Sequence, residues 1–157
     1  MCIRDSLYSA QKNISLNDIL NQNTSHLDKI PDGSVVSLIG DFDPESISTL
    51  IHLIDKNCIV VPLTNETSSM HEYYFKHSST EYIVENQDIK TISYEKNCLT
   101  EDLKKQSKPG IILFSTGTTG RPKAILHDFS NFINIFTISK LLFFTASING
   151  VDLDSLK

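Results

Sequence analysis

The sequence predicts an α/β fold, a mostly parallel sheet with flanking helices. Three observations carry that prediction. Short β-branched apolar runs alternate with stretches of helical spacing. A helix start, with a cap and a proline, lies between the first two runs. A third apolar run, IILF, empties into the glycine- and hydroxyl-rich stretch STGTTGRPK, as a strand does at the ligand-binding edge of such a sheet.

Taken in order, residues 1–33 form an N-terminal helical segment in which SLNDILNQNTSHLDKI (Ser15–Ile30) reads as one amphipathic helix. The opening MCIRDS resembles the adapter-derived starts of assembled gene fragments and is expected not to be native. Ser34–Gly40 is predicted as the first strand, closed by its glycine. A helix over Pro44–Asn57 follows, with Asp43 as N-cap, Pro44 at the first helical position and Glu45 in the first turn. Its apolar stripe is Ile47, Leu50, Ile51 and Ile54. Cys58–Leu63 is the next strand, and strand, helix, strand over roughly thirty residues is a βαβ unit with parallel strands.

Further along, Ser68–Ser79 reads as a helix with Met70, Tyr73, Tyr74 and His77 on adjoining faces, and Glu81–Glu85 as a short strand. A helix capped by Thr100 is expected in LTEDLKKQS, and Pro109-Gly110 then punctuates before a strand over Gly110–Phe114. Asp128 and Ser130 cap an expected helix carrying Phe132, Ile133 and Phe136. Phe132–Ile148 is apolar but interrupted by Asn134, Ser139 and Lys140, so a buried helix or strand is expected there and no membrane span.

Composition narrows the function classes. At 157 residues with 39% hydrophobic content the chain fits one domain. A net charge of -5 with scattered cations gives no basic face for a nucleic acid backbone. The cysteines Cys2, Cys58 and Cys98 lie far apart and form no metal-ligand pattern with the five histidines. Three thiols without a framework point to a reducing, cytoplasmic setting, with Cys58 as a small buried hydrophobe.

The loop after IILF carries the chemistry. Gly117 and Gly120 lack a side chain, so their N–H groups can come close to an anion. Ser115, Thr116, Thr118 and Thr119 add hydroxyls, and Arg121 and Lys123 add positive charge on either side of Pro122. Donors and cations together suit a polyphosphate. Neither of two familiar phosphate loops fits: in G-x-x-x-x-G-K-[ST] the glycines stand farther apart than Gly117 and Gly120, and in G-x-G-x-x-G a glycine stands where this chain has Ser115.

The run STGTTGRPKA resembles instead the phosphate-binding loop of the adenylate-forming superfamily of acyl-CoA synthetases, luciferases and peptide-synthetase adenylation domains. Ser115, Thr116, Gly117, Thr118, Thr119, Gly120, Pro122 and Lys123 match its pattern, while Ala124 replaces the usual glycine. The upstream order of strand, acidic-proline helix start and VVPL strand is similar to the family's early segment, so the resemblance spans roughly Ser34 to Phe132. Beyond His127 the family often has a histidine where this chain has Phe129.

The resemblance implies that residues 34–140 are part of the large N-terminal, AMP-binding domain of an adenylate-forming enzyme, with 141–157 unassigned and a non-native tail as one reading. It implies ATP with Mg²⁺ carried by the nucleotide, a carboxylic-acid substrate, and CoA or carrier-bound pantetheine as acyl acceptor. Ser115, Thr116, Gly117, Thr118, Thr119, Gly120 and Lys123 would hold the ATP phosphates; no catalytic residue and no metal ligand is assigned. The family's adenine motif, ribose-binding aspartate and catalytic lysine lie downstream of this loop and are not found before Lys157. A fragment of an acyl-adenylate-forming ligase, inactive alone, is therefore expected. The alternative is a non-enzymatic nucleotide- or phosphate-binding module. Simpler roles are expected for the neighbours: Arg121 as surface charge, His127 in packing or at a helix start, and Tyr73 and Tyr74 in the core or at its rim.

Overall fold

The computed structural model describes residues 6–9, 12–41, 43–115 and 121–131. Its main body is a six-stranded mixed sheet in the order β6-β5-β3-β4-β7-β8. The parallel strands are β3 (Val35–Ile39), β4 (Ile59–Leu63), β5 (Tyr82–Glu85) and β7 (Gly110–Ser115). An antiparallel strand closes each side, β6 (Asp88–Thr91) beside β5 and β8 (Lys123–Asp128) beside β7. The α/β class, the three expected strands and the parallel pairing of the first two are all found.

β3 lies at the centre and is buried along its whole length. Its side chains alternate between two cores, as a pleated strand requires. Val35 and Ile39 face α3 (His71–Ser78) and α4 (Cys98–Lys105), joined there by Tyr74, Phe75, Leu103 and Ile112. Val36 and Leu38 face α2 (Pro44–Asp55), with Leu53, Cys58 and Val60. The one polar side chain of β3, Ser37, is fully buried and bonded to Thr80 Oγ1 at 2.7 Å, and Thr80 in turn to Ser78 Oγ at 2.7 Å. Each hydroxyl is thereby paired where an unpaired one would be costly. Cys58 is buried as expected, and burial pushes its thiol pKa up.

The helices start and stop by local rules. Asp43 caps α2, with Pro44 at its first position, as the sequence predicts. Among the described residues, α2, α3 and α4 end in the Schellman arrangement. After α2, Cys58 N–H donates to Leu53 O and Asn57 N–H to Ile54 O, with Asn57 at φ 55°. Ser79 (φ 56°) and Ser107 (φ 50°) do the same for α3 and α4. The left-handed backbone of Asn57 ends α2 at Asp55, short of the expected Asn57.

Several expectations are corrected. Ser15–Ile30 is not one helix: a hairpin of β1 (Ser6–Ser9) and β2 (Lys12–Ser15) leads into α1 (Leu16–Leu20), and a separate 3₁₀ turn spans Ser25–Lys29. Asn23 Oδ1 accepts from Ser25 N–H at 3.0 Å, a local bond that competes with helix continuation. The stretch before α3 likewise begins as a 3₁₀ turn, Asn65–Met70. Asn97, not Thr100, caps α4, its Oδ1 accepting from Leu99 N–H; Thr100 sits inside the first turn and donates to Asn97 O at 2.8 Å. Lys123–Asp128, for which the sequence offers no element, is β8. The expected helix residues Phe132, Ile133 and Phe136, and the apolar run to Ile148, lie outside the described residues.

Two positions three residues apart carry opposite predictions. Ser107→Gly is expected to stabilise by about 0.5–1 kcal/mol, because it relieves a left-handed backbone at an exposed site. At Gly110 an added Cβ would stand 2.6 Å from Leu103 Cδ2 and 3.3 Å from Ile59 Cγ1 and Leu126 Cδ1. Gly110→Ala is therefore expected to destabilise by about 1–3 kcal/mol through overpacking. Urea unfolding of both variants checks the signs.

Candidate functional site

The four parallel strands end together at one edge, at Ile39, Leu63, Glu85 and Ser115. The chain leaves β3 toward α2 on one face and leaves β4 toward α3 on the other. The crevice between two such strands is where open α/β sheets bind ligands. An apolar cleft of about 180 Å³ opens there, lined by Leu38, Gly40, Ile47, Pro62, Thr64 and Leu113. A larger cleft of about 540 Å³ lies at the opposite edge, where Lys104 Nζ meets both Glu81 oxygens at 2.8 and 2.9 Å. Glu81 also accepts from Val35 N–H at 2.8 Å, so the charges of that cleft are already satisfied.

Charge is divided along this edge. Asp41, Asp43 and Glu45 follow β3, whereas Arg121 and Lys123 belong to the β7–β8 end, with β4 between. The N-terminus of α2 points to this edge but is occupied by its own cap. Asp43 Oδ1 accepts from Ser46 N–H at 2.9 Å and Oδ2 from Ser46 Oγ at 2.8 Å. Asn65 Nδ2 donates to Asp41 Oδ2 at 3.4 Å and joins the loops that follow β3 and β4. The exposed cations Arg121 and Lys123 stand at the other end.

That end is a hairpin. Ser115 and Lys123 are cross-strand partners at the base of the loop, and both are exposed. Thr116, Gly117, Thr118, Thr119 and Gly120 lie outside the described residues. The base is gripped by α3. Tyr74 is buried with its ring 4.3 Å from that of Phe114, and the Tyr73 hydroxyl donates to the Pro122 carbonyl at 2.9 Å. At the far end of the hairpin Lys108 Nζ pairs with Asp128 Oδ2 at 3.0 Å, and Phe129 N–H donates to Pro109 O at 2.9 Å. Burial pushes the Asp128 carboxyl up, but its bonds from Lys108 and Ser130 outweigh this and hold it below the usual carboxylate range.

The sequence-predicted residues divide accordingly. Ser115 and Lys123 are brought together, and Arg121 is exposed as expected of a surface charge. His127 is half-buried opposite Ile111, about 13 Å along the strand from Lys123. It stands away from the base of the loop. Tyr74 is core and Tyr73 rim, as read from the sequence, but the bond from Tyr73 to Pro122 spans 49 residues and leaves no local signal. Among the described residues, no group of three or more His, Cys, Asp or Glu could hold a metal ion, and no helix is long and apolar enough to cross a membrane. The chain matches no protein-family model and no curated protein.

The cap at this edge has a defined pH signature. Partial burial pushes the Asp43 carboxyl up, but the Ser46 bonds outweigh that and hold it below its ordinary value. Asp43→Ala is expected to cost about 1 kcal/mol at neutral pH. A carboxylate with a depressed folded-state pKa gives its full contribution above the unfolded value of about 3.9 and loses it as pH falls through the folded one. The stability gap between wild type and variant should thus be constant at neutral pH and close in acid. A gap of unchanged size in acid would show that Asp43 acts in some way other than as a charged cap.

Proposed function

We propose that this chain supplies the ATP-phosphate-binding part of a carboxylate-activating ligase that works through an acyl-adenylate. The observation that carries the proposal is the run Ser115–Lys123 at the β7–β8 end of the carboxyl edge, with Ser115 and Lys123 as cross-strand partners at its base. The residue types fit the ligand. A triphosphate needs several donors converging without a large side chain between them, and Gly117 and Gly120 among four hydroxyl residues meet that need. Lys123 adds a point charge. The carboxylate-rich end of the edge is kept apart by β4.

In the proposed reaction a carboxylate oxygen of the acid attacks the α-phosphorus of ATP. The bond from that phosphorus to the bridging oxygen breaks, and pyrophosphate leaves with the electron pair. Charge grows on the β- and γ-phosphates as the bond lengthens, so donors fixed around them stabilise the transition state more than the ground state. Mg²⁺ arrives with the nucleotide in this reading. The thiol of CoA or carrier-bound pantetheine then attacks the acyl carbon of the adenylate; the acyl C–O bond breaks, and thioester and AMP are released.

Binding of Mg·ATP to the chain and to three variants tests the assignment. Gly117→Val places a branched side chain where a phosphate would meet backbone N–H, and is expected to weaken binding by about a hundredfold or more. Lys123→Ala removes one charged contact, for about a tenfold loss. Arg121→Ala should stay within about twofold, as expected of an exposed surface charge. Circular dichroism confirms that each variant is folded. If Arg121→Ala is as damaging as Gly117→Val, the roles within the loop are misassigned; if all three bind like wild type, the run is not a phosphate site.

A further inference from the structure

We propose that Tyr73 is a positioning residue that sets the direction of Lys123 through the Pro122 carbonyl, an inference that rests on the phosphate-binding reading of the loop. Two consecutive tyrosines of α3 hold the two shoulders of the hairpin. Tyr74 packs on Phe114, the residue before Ser115, and Tyr73 bonds Pro122, the residue before Lys123. The two rings meet edge to face at 6.1 Å and 76°. Tyr73 is fixed from its other side as well: its ring stacks on His77 at 3.8 Å, and His77 Nδ1 lies 2.7 Å from the Tyr73 carbonyl.

The arrangement answers a specific need. A lysine ammonium sits on a long flexible stem, and its value at a phosphate depends on how its backbone is aimed. Pro122 has no N–H to lend to the ladder, so ladder pairing cannot fix it from that side. Its carbonyl is fixed by the Tyr73 hydroxyl instead. The helix that covers the core under β7 thus also aims the residue that opens β8.

A double-mutant cycle on the chain tests this, with the dissociation constant for Mg·ATP as readout. Tyr73→Phe keeps the ring and removes the hydroxyl. It is expected to weaken binding by about three- to tenfold in the wild-type background and by less than about twofold when Lys123 is already alanine. Amide hydrogen exchange around Lys123 should quicken in Tyr73→Phe without any nucleotide present. Tyr94→Phe is the control: it removes the hydroxyl that donates to Glu72 of the same helix at 2.6 Å, and both readouts should stay as in wild type. Equal losses from Tyr73→Phe in both backgrounds, no loss in either, or a matching loss in Tyr94→Phe would overturn the positioning role while leaving the phosphate reading intact. If wild type and Lys123→Ala bind Mg·ATP alike, Lys123 holds no phosphate and this proposal fails; the phosphate reading fails with it only if Gly117→Val also binds like wild type.

Discussion

The architecture depends on one constraint, that β3 must be hydrogen-bonded on both sides and covered on both faces. β4 and β5 satisfy its two edges in parallel. Parallel neighbours cannot be joined by tight turns, so each connection has to travel over a face and bring its own cover. α2 covers the side of Val36 and Leu38, and α3 covers that of Val35 and Ile39. Because those two helices leave adjacent strands in opposite directions, the carboxyl edge parts between β3 and β4. The cleft there follows from how one buried strand is shielded.

Much of this was legible in the sequence because it is written in short-range terms. The runs at Val35–Ile39 and Ile59–Leu63 are apolar without alternation, the signature of strands buried on both faces. Asp43 and Pro44 stand where a cap and a first helical residue belong. The errors arose where competing local signals had to be ranked. Thr100 and Asn97 are both cap residues by type, and the partner of each side chain separates them. In the N-terminal segment the apolar positions keep a helical rhythm, yet the bond from Ser25 to Asn23 breaks the helix.

The edge strands escaped for a different reason. β6 and β8 are half-exposed and carry charge, so they lack the continuous apolar runs of the centre. The turn between β5 and β6 is two residues, Asn86 and Gln87, with Asn86 at φ 53°; without the glycine that commonly marks such hairpins it reads as loop. For the candidate site, the residue types of the loop were legible, whereas the frame around it was not. A glycine-rich phosphate loop commonly opens a helix and draws on the helix dipole. Here the chain turns back as β8. The base of the loop is a strand pair and not a helix end, and the contact from α3 reaches it at the Pro122 carbonyl.

β8 has a further consequence. It is the outermost strand of the sheet among the described residues, and such a strand offers open backbone groups to any other extended chain. Pro122 withholds an N–H at the start of the strand, and Lys123, next to it, sets a charge where a second copy would have to pair. Asp128 brings the opposite charge at the other end, held by Lys108. The proline and lysine that open β8 thus also guard this edge of the sheet against pairing with a second chain.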